Sequence, residues 1–399
     1  MEKAYETRSY DTEFDAVVTA TEQIDGTVWV MLDTTLFFPL EGGQSPDRGI
    51  LGGCPVTDVQ IQNGIIRHAV SVPEGAAAFA EGQTVHGTID WNYRYRNMQM
   101  HSGEHIFSGL VHNRFGYDNV GFHLSDNSAT MDYNGRITEE ELRELERKAN
   151  EVIVENHAIR AWYPTAEELE TLSYRSKKEL REAVRLVEIE GVDLCACCVP
   201  HVRSTGEVGC FKITDWENYK GGVRIQYRCG FRAMEDYEDR IALLKTLSQQ
   251  LSVKQNQLSA AVERMKNENR TLQFELISAE RETILRSIRE MAARDGYTDG
   301  GERLNRSAVL WPESRDASIL RFAANELKQR YAGTIAVFLK TESGYRYLLE
   351  REGGTVAALN TALRNELGAK GGGSAESVQG SVAAEKETLQ TFLAGREEF

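Results

Sequence analysis

Two short segments carry the side chains of this sequence that are best suited to bind a metal ion. His101 and His105 are four residues apart in the first segment, and Cys197 and His201 have the same spacing in the second. Residues at i and i+4 of a helix lie on one face, so the two histidines would point the same way. Imidazole nitrogens and a cysteine thiolate are ligands that hold Zn²⁺ in a tetrahedron. If the segments converge, the sequence predicts one zinc ion per chain.

Two other metal sites would use parts of the same segments. His101, Glu104 and His105 fit the H-x-x-E-H pattern of inverted zinc peptidases, in which the glutamate activates a metal-bound water. A peptidase would also need an acidic third ligand, and a thiolate ligand is atypical of that class. A closed structural knuckle would instead use Cys195, Cys197, Cys198 and His201. These neighbours are cramped for one tetrahedron, so we favour the four-ligand site and interpret the two extra cysteines as buried apolar residues.

The composition bounds the class of protein. The chain has 399 residues and a net charge of −15, so two to four domains are expected and a broad basic surface for polyanions is not. A local basic patch for nucleic acid stays compatible with that charge. The polar start and the lack of long apolar runs predict no signal peptide and no membrane association. Six cysteines, three of them crowded together, indicate metal or redox chemistry in the cytoplasm.

The chain is expected to be an α+β protein of four parts. The His101 segment is predicted to be helical from Asn97 to about Arg114, because its pattern recurs every three or four residues. Capping-box patterns at Thr138 and Thr165 predict the starts of two more helices. The predicted parts are a β-rich domain (1–90), a zinc-binding domain (91–232), a helical arm (233–296) and a small α/β domain (297–399).

The arm shows coiled-coil character. No glycine or proline lies between Gly230 and Gly296, and apolar residues recur every seven positions from Leu244 to Leu272. The segment is therefore predicted to be one long helix or a helical hairpin. In the hairpin, the polar stretch 266–269 would hold the reversal.

Several further motifs accompany the ligand pairs. They are Thr35-Leu36-Phe37-Phe38-Pro39, Gly42-Gly43-Gln44, Asp47-Arg48-Gly49, Asp90-Trp91 with Arg94 and Met98, Thr205-Gly206 with Phe211-Lys212-Ile213, and Gly371-Gly372-Gly373 with Gln379-Gly380. Together with the ligands, this combination resembles the freestanding alanyl-tRNA editing proteins, in the long form of the AlaX family. The resemblance covers nearly the whole chain.

The resemblance implies a fold and an activity. The first part would be a barrel-like domain, the second the editing domain, and the last a DHH-associated domain that binds tRNA. The activity would be trans-editing, the hydrolysis of serine or glycine esters mischarged on alanine tRNA. The alternatives are a non-catalytic tRNA-binding protein with a structural zinc and the zinc peptidase described above. An editing site separate from the synthetase's amino-acid pocket is physically reasonable. One small group added to or removed from the amino acid changes its binding free energy in that pocket by only about 1–3 kcal/mol. The partner would be alanine tRNA that carries the wrong amino acid, and the arm and last domain would form a homodimer.

The resemblance also implies residue roles. Thr35 would recognise the serine hydroxyl, Gln44 and the adjacent glycines would contact the terminal adenosine, and Glu104 would act as base or orient a ligand. The catalytic candidates are thus Thr35, Gln44 and Glu104, and the substrate-binding candidates are Gly42, Gly43, Arg94, Gly371, Gly372 and Gly373.

Five positions depart from the family pattern. Glu41 replaces the first glycine before Gln44, Ser102 and Gly103 replace a threonine and an alanine after His101, and Val199 and Pro200 replace a glycine and a threonine beside the ligands. Pro200 stiffens the loop and removes one backbone donor. The four ligands are intact, but the amino-acid preference is left open.

Overall fold

The structure, a computed structural model, confirms the α+β class. The residues that it describes are 1–73, 79–126, 128–176, 184–397 and 399. These residues form two compact units, Met1–Thr246 and Leu247–Phe399. In the described part of the chain, no helix combines the length and the apolar character that a membrane span requires.

The strands and helices are numbered in chain order. The strands are β1 (Glu2–Lys3), β2 (Glu13–Ile24), β3 (Thr27–Leu32), β4 (Thr34–Thr35), β5 (Gly49–Leu51), β6 (Cys54–Gln62), β7 (Ile65–Val70), β8 (Thr84–Ile89), β9 (Asn119–Leu124), β10 (Ala129–Tyr133), β11 (Ile159–Trp162), β12 (Leu186–Ile189), β13 (Asp193–Ala196), β14 (Phe211–Tyr219), β15 (Gly222–Cys229), β16 (Ala308–Leu310), β17 (Ile335–Thr341), β18 (Gly344–Glu350), β19 (Lys370–Gly373) and β20 (Ser377–Val382). The helices are α1 (Trp91–Phe115), α2 (Glu139–Glu155), α3 (Ala166–Thr171), α4 (Gly230–Gln250), α5 (Leu258–Arg294), α6 (Ser318–Lys328), α7 (Ala357–Leu367) and α8 (Lys386–Ala394).

A closed barrel opens the first unit. Its strands follow the order β2-β3-β7-β6-β5-β8. Along β2, the buried residues Phe14, Ala16 and Val18 alternate with exposed ones, as expected when one face of a strand lines a core. The barrel core continues through Phe37 and Phe38, which follow the short strand β4. The Thr35 motif is thus anchored in the barrel interior.

Helix α1 carries the two candidate histidines. The side chain of Asp90 caps its first turn, so the helix begins at Trp91, six residues before the predicted start. It packs beside a four-stranded antiparallel sheet of order β14-β15-β10-β9. A Cβ on Gly103 would lie 2.3 Å from Cys229 Sγ, so this mid-helix glycine allows α1 to approach β15 closely.

The capping-box predictions are confirmed. Thr138 and Thr165 each accept a hydrogen bond on their hydroxyl oxygen from the backbone N–H of the third helical residue, a glutamate whose carboxylate accepts one from the backbone N–H of the capping threonine. A three-stranded antiparallel sheet of order β11-β12-β13, whose first strand precedes α3, leads into the cysteine segment. The second pair of candidate ligands therefore follows directly from a sheet edge.

The predicted reversal at 266–269 is wrong. Helix α5 runs through that stretch without interruption, and the helical arm is instead interrupted between the end of α4 and the start of α5. Ser252 adopts φ +51°, and Val253 N–H donates to the Ser248 carbonyl, as at a Schellman helix end. Polar residues at 266–269 are exposed and compatible with a helix, so polarity alone gave a false signal.

The second unit is built on a five-stranded sheet of order β16-β17-β18-β20-β19. Strands β17 and β18 form its central antiparallel hairpin, and helices α6, α7 and α8 belong to the same unit. The glycine-rich segment forms edge strand β19, in which Gly371 lies opposite Gly380. A Cβ on Gly371 would lie 2.2 Å from the Tyr347 hydroxyl oxygen, so packing already accounts for this glycine.

Candidate metal centre

The two ligand pairs converge. The side-chain donor atoms of His101, His105, Cys197 and His201 all lie within 4.8 Å of one another. Cys197 Sγ is 3.5 Å from His101 Nε2 and 3.4 Å from His201 Nε2. The three histidines are at most 5% exposed. Helix α1 and the loop after β13 thus bring three nitrogens and one sulfur to a single buried point, a donor set that could hold a metal ion.

Each histidine is held by a partner on its other ring nitrogen. The Nδ1 atoms of His101, His105 and His201 lie 3.1 Å from Gln44 Oε1, 2.9 Å from Asp193 Oδ2 and 3.0 Å from Ser102 Oγ, in that order. An amide or carboxylate oxygen can only accept, so it holds the proton on Nδ1 and leaves Nε2 as the donor atom for an ion. Metal-binding histidines are commonly oriented in this way. The residues present therefore fit a metal.

The buried setting shapes the protonation of the ligands. Burial, reinforced by the neighbouring histidines, lowers the pKa of His201 well below its ordinary value, so its imidazole is neutral. Burial raises the pKa of the Cys197 thiol well above its ordinary value. A bound cation would displace that thiol proton, since the thiolate is the ligand form.

Two arginines brace the metal group, one at each ligand pair. Arg185 donates to the carbonyl oxygens of Cys197 at 2.9 Å and Val199 at 3.0 Å. Arg175 binds the Asp193 carboxylate through two nitrogens at 2.7 and 2.8 Å. Burial opposes ionisation of Asp193, but its bonds to His105 and Arg175 outweigh that cost and lower its pKa. The carboxylate that orients His105 is thus kept charged and fixed.

The loop after β4 reaches from the barrel to the metal group. Gly42 and Gly43 have φ of +62° and +78°, and a Cβ on Gly43 would lie 2.4 Å from the Phe122 carbonyl oxygen. The glycines let the loop lie against β9, which places Gln44 beside His101. Gln44 Nε2 is buried and has no hydrogen-bond partner among the described residues. The loop therefore presents an amide donor next to the candidate ligands.

Arg94 lies away from solvent. It is fully buried, its Nε lies 2.9 Å from both carboxylate oxygens of Asp47, and its terminal nitrogens donate to the carbonyls of Leu36 and Ser9. Asp47 in turn accepts from the Phe38 backbone N–H at 2.6 Å. These contacts tie α1 to the loop that carries Gln44. They favour a positioning role for Arg94 rather than the predicted direct contact with substrate.

Glu104 lies beside the ligands. Its Oε1 accepts from Ser108 Oγ at 2.7 Å and from Asn119 Nδ2 at 2.5 Å, while its Oε2 lies 3.8 Å from His105 Nε2. A buried carboxylate oxygen thus faces the nitrogen that would bind the ion. This location is compatible with either of the two predicted roles, base or ligand orientation.

Thr35 is fully buried in the barrel, and its hydroxyl bonds there rather than to the candidate ligands. It lies 2.9 Å from His68 Nε2 and accepts from the Phe37 N–H at 3.0 Å. Gly371, Gly372 and Gly373 belong to the other compact unit. The structure therefore groups Gln44 and Glu104 with the four ligands, and leaves Thr35 in a separate hydrogen-bond network.

The competing metal sites fit the structure less well. The group that contains His101 and His105 is completed by Cys197 and His201 and not by the downstream carboxylate that a peptidase would use. Cys195 belongs to a second close group, with His105 and Asp193. A knuckle made of the second segment alone would exclude both histidines of α1.

Sequence reasoning missed four positioning residues, namely Ser102, Arg175, Arg185 and Asp193. Ser102 adjoins a ligand in the sequence, and its hydroxyl could have been considered as a partner. Asp193 and Arg185 precede the cysteine segment with no spacing that indicates their contacts, because sheet pairing brings them to the site.

Comparisons with known proteins identify the class. The family model described as "Threonyl and Alanyl tRNA synthetase second additional domain" matches residues 184–226, which include the second ligand pair. The model described as "tRNA synthetases class II (A)" matches residues 4–93, which include the barrel. Fold and site are thus similar to modules found in threonyl- and alanyl-tRNA synthetases.

Individual relatives narrow the resemblance. The chain is 28% identical over 398 residues to the alanyl-tRNA editing protein AlaX-L of Pyrococcus horikoshii, covering 98% of this chain and 96% of that protein. It is 37% identical over 253 residues to the alanine–tRNA ligase of Pyrococcus furiosus, and 31% over 353 residues to that of Thermococcus kodakarensis. These alignments cover 60% and 85% of this chain but only 27% and 36% of the ligases. The predicted resemblance to freestanding alanyl-tRNA editing proteins is confirmed.

Proposed function

We propose that this protein is an aminoacyl-tRNA deacylase that removes wrong amino acids from alanine tRNA. The observation that carries the proposal is the convergence of His101, His105, Cys197 and His201 in a chain similar over 98% of its length to an alanyl-tRNA editing protein. The donor set of three imidazoles and one thiolate suits Zn²⁺. When bound, Zn²⁺ supplies a Lewis-acidic centre that orients the aminoacyl group or a water molecule.

The protein's own residues perform the remaining steps. Gln44 Nε2, buried beside the ligands, donates a hydrogen bond to the carbonyl oxygen of the ester. Glu104 accepts a proton from the attacking water, because its Oε2 faces the ligand group. Water adds to the carbonyl carbon, the bond to the ribose oxygen breaks, and that oxygen takes the proton from Glu104. The products are a free amino acid and an uncharged tRNA.

Serine and glycine are the proposed amino acids. A synthetase pocket built for alanine discriminates weakly against one missing or one added small group, so these two errors need removal. Thr35 supplies the hydrogen-bonding oxygen for serine, and its fixed geometry in the barrel limits which hydroxyl groups it accepts. The replacement of the family's glycine and threonine by Val199 and Pro200 lies beside the ligands, where it tunes this preference.

The other parts of the chain are proposed to hold the tRNA and a second copy. The barrel and residues 91–232 form the editing module, 233–296 the arm, and 297–399 the tRNA-binding domain. Large apolar side chains of the arm are exposed within the chain, among them Leu244, Leu272 and Phe274. A homodimer would cover such side chains. Sedimentation equilibrium of the wild type and of Leu272→Glu tests this: a monomer at all concentrations of the wild type contradicts the dimer.

A deacylation panel tests the activity. Wild-type protein is expected to release amino acid from seryl- and glycyl-tRNA and to leave alanyl-tRNA intact. His105→Ala is expected to abolish release, whereas His112→Ala, which removes a histidine of the same helix outside the group, is the matched control. Binding of mischarged tRNA without turnover by the zinc-loaded wild type would refute the deacylase.

A further inference from the structure

A cleft of about 500 Å³ lies next to the metal centre, and His201 belongs to both. Its other walls come from the segment before the barrel, which includes Tyr10, and from strand β11 and the residues that follow it, which include Trp162 and Tyr163. The whole cleft lies within the first compact unit. A molecule seated in it would therefore lie directly beside His201, one of the four candidate ligands.

The cationic groups of the cleft differ in how they are engaged. Arg185 is buried and donates to backbone carbonyls, and Arg8 forms an ion pair with Asp11 at 2.6 Å. Arg203 is exposed, and its guanidinium carbon lies 3.9 Å from the centre of the Tyr10 ring. In the part of the chain that the structure describes, no carboxylate forms an ion pair with Arg203. One exposed cation of the cleft is thus open to an anionic ligand.

Aromatic rings line the same space. Tyr163 is 46% exposed, Trp162 is partly exposed, and both border the cleft. The Tyr10 ring is backed by Trp91 at 5.3 Å, which fixes the platform on which Arg203 lies. Aromatic faces beside an arginine are the pattern by which proteins hold single-stranded nucleotides, with bases stacked and the phosphate paired.

We infer that this cleft binds the unpaired 3′-terminal nucleotides of RNA. A base stacks on the Tyr163 side of the cleft, and Arg203 pairs with a backbone phosphate. The terminal ribose then lies towards His201, which brings a 3′-linked ester to the metal centre. This inference rests on the proposed function for its substrate, and it assigns the site at which that substrate's RNA end is held.

The test uses full-length protein and a short, uncharged, single-stranded RNA that ends in CCA, labelled at its 5′ end. Fluorescence anisotropy is expected to show about tenfold weaker binding for Tyr163→Leu and for Arg203→Gln. Arg203→Gln is also expected to reduce the slope of log Kd against log salt by about 0.7, the value for one lost phosphate contact with a single strand. Arg160→Gln is the matched control, an exposed arginine of β11 outside the cleft, and should bind as the wild type does.

The outcomes separate this inference from the proposed activity. The RNA carries no ester, so its binding does not depend on hydrolysis. Binding that is unaffected by both cleft variants, or reduced equally by Arg160→Gln, overturns the cleft while leaving a deacylase intact. Binding that depends on Arg203 and Tyr163, in a protein that hydrolyses no aminoacyl-tRNA, upholds the cleft and overturns the deacylase. A raised KM for seryl-tRNA with an unchanged kcat in Arg203→Gln further supports the cleft.

Discussion

His68 fixes the hydrogen-bonding direction of Thr35. His68 Nδ1 lies 2.9 Å from the Val30 carbonyl oxygen, which can only accept, so the neutral ring carries its proton on that nitrogen. The opposite nitrogen, 2.9 Å from Thr35 Oγ1, must then accept the hydroxyl hydrogen of Thr35. Since that hydroxyl already receives the Phe37 N–H, what it has left is a lone pair. Thr35 can therefore recognise a donor such as the serine hydroxyl, and it has no hydrogen to offer.

Removing the Thr35 hydroxyl should separate the two proposed substrates. Thr35→Val keeps the shape of the side chain and is expected to reduce hydrolysis of seryl-tRNA about tenfold, the order of one lost hydrogen bond. Hydrolysis of glycyl-tRNA should change much less, because glycine has no hydroxyl. Initial rates on both substrates measure the ratio, with Thr34→Val as the adjacent control. Equal losses on serine and glycine would show that Thr35 serves the fold alone.

His68 should make the protein sensitive to acid. Burial lowers its pKa to about 4, below the value of about 6.5 in the unfolded chain. Between these pH values the unfolded chain binds more protons, so stability falls as the pH is lowered from 6.5 to 4, by about 3 kcal/mol in all. The free energy of unfolding, measured by urea denaturation at several pH values in this range, should depend less steeply on pH for His68→Gln than for the wild type. His86→Gln, an exposed barrel histidine, should retain the wild-type slope.

Cys197 should be required for metal retention in a way that its neighbour is not. Cys197→Ala removes one of four donor atoms and is expected to reduce bound zinc from about one ion per chain towards none after dialysis. Cys198→Ala removes the adjacent thiol, which lies outside the group, and should keep its zinc. Elemental analysis of purified protein gives the stoichiometry. Full zinc content in Cys197→Ala would contradict the proposed ligand set.

Asp193 should tune metal affinity without being a ligand of the four-residue group. Asp193→Asn weakens the bond that orients His105, and a loss of this kind typically costs 10- to 100-fold in affinity. Competition with a chromogenic chelator measures the change. Asp132→Asn is a matched control, because Asp132 also binds an arginine through two bonds, at 2.7 Å each, but lies outside both candidate metal groups. Equal affinities in the two variants would remove Asp193 from the metal site.

The grouping of the four candidate ligands could be predicted from the sequence because residue type and spacing carry that information. Histidines at i and i+4 share a helix face, and a cysteine four residues from a histidine is a recognisable second pair. Helix starts at Thr138 and Thr165 were equally predictable, because a capping box is a local pattern.

Contacts made by tertiary packing could not be predicted in this way. The pairing of β12 with β13 and the packing of α1 determine that Asp193 meets His105. The interruption of the helical arm at Ser252 depends on a left-handed backbone conformation after α4, and a serine in the sequence does not indicate that conformation. Gly371 was predicted to contact the substrate, whereas its neighbour in the fold is the Tyr347 hydroxyl.

One guanidinium group links the start of the chain to the chemistry. Arg185 holds the carbonyls of Cys197 and Val199 with one nitrogen and the carbonyl of Glu6 with another. The position of the loop that carries Cys197 thus depends partly on upstream residues that supply no metal ligand. Removing the first residues of the chain, or attaching an expression tag to them, would weaken metal binding although all four candidate ligands remain in the sequence.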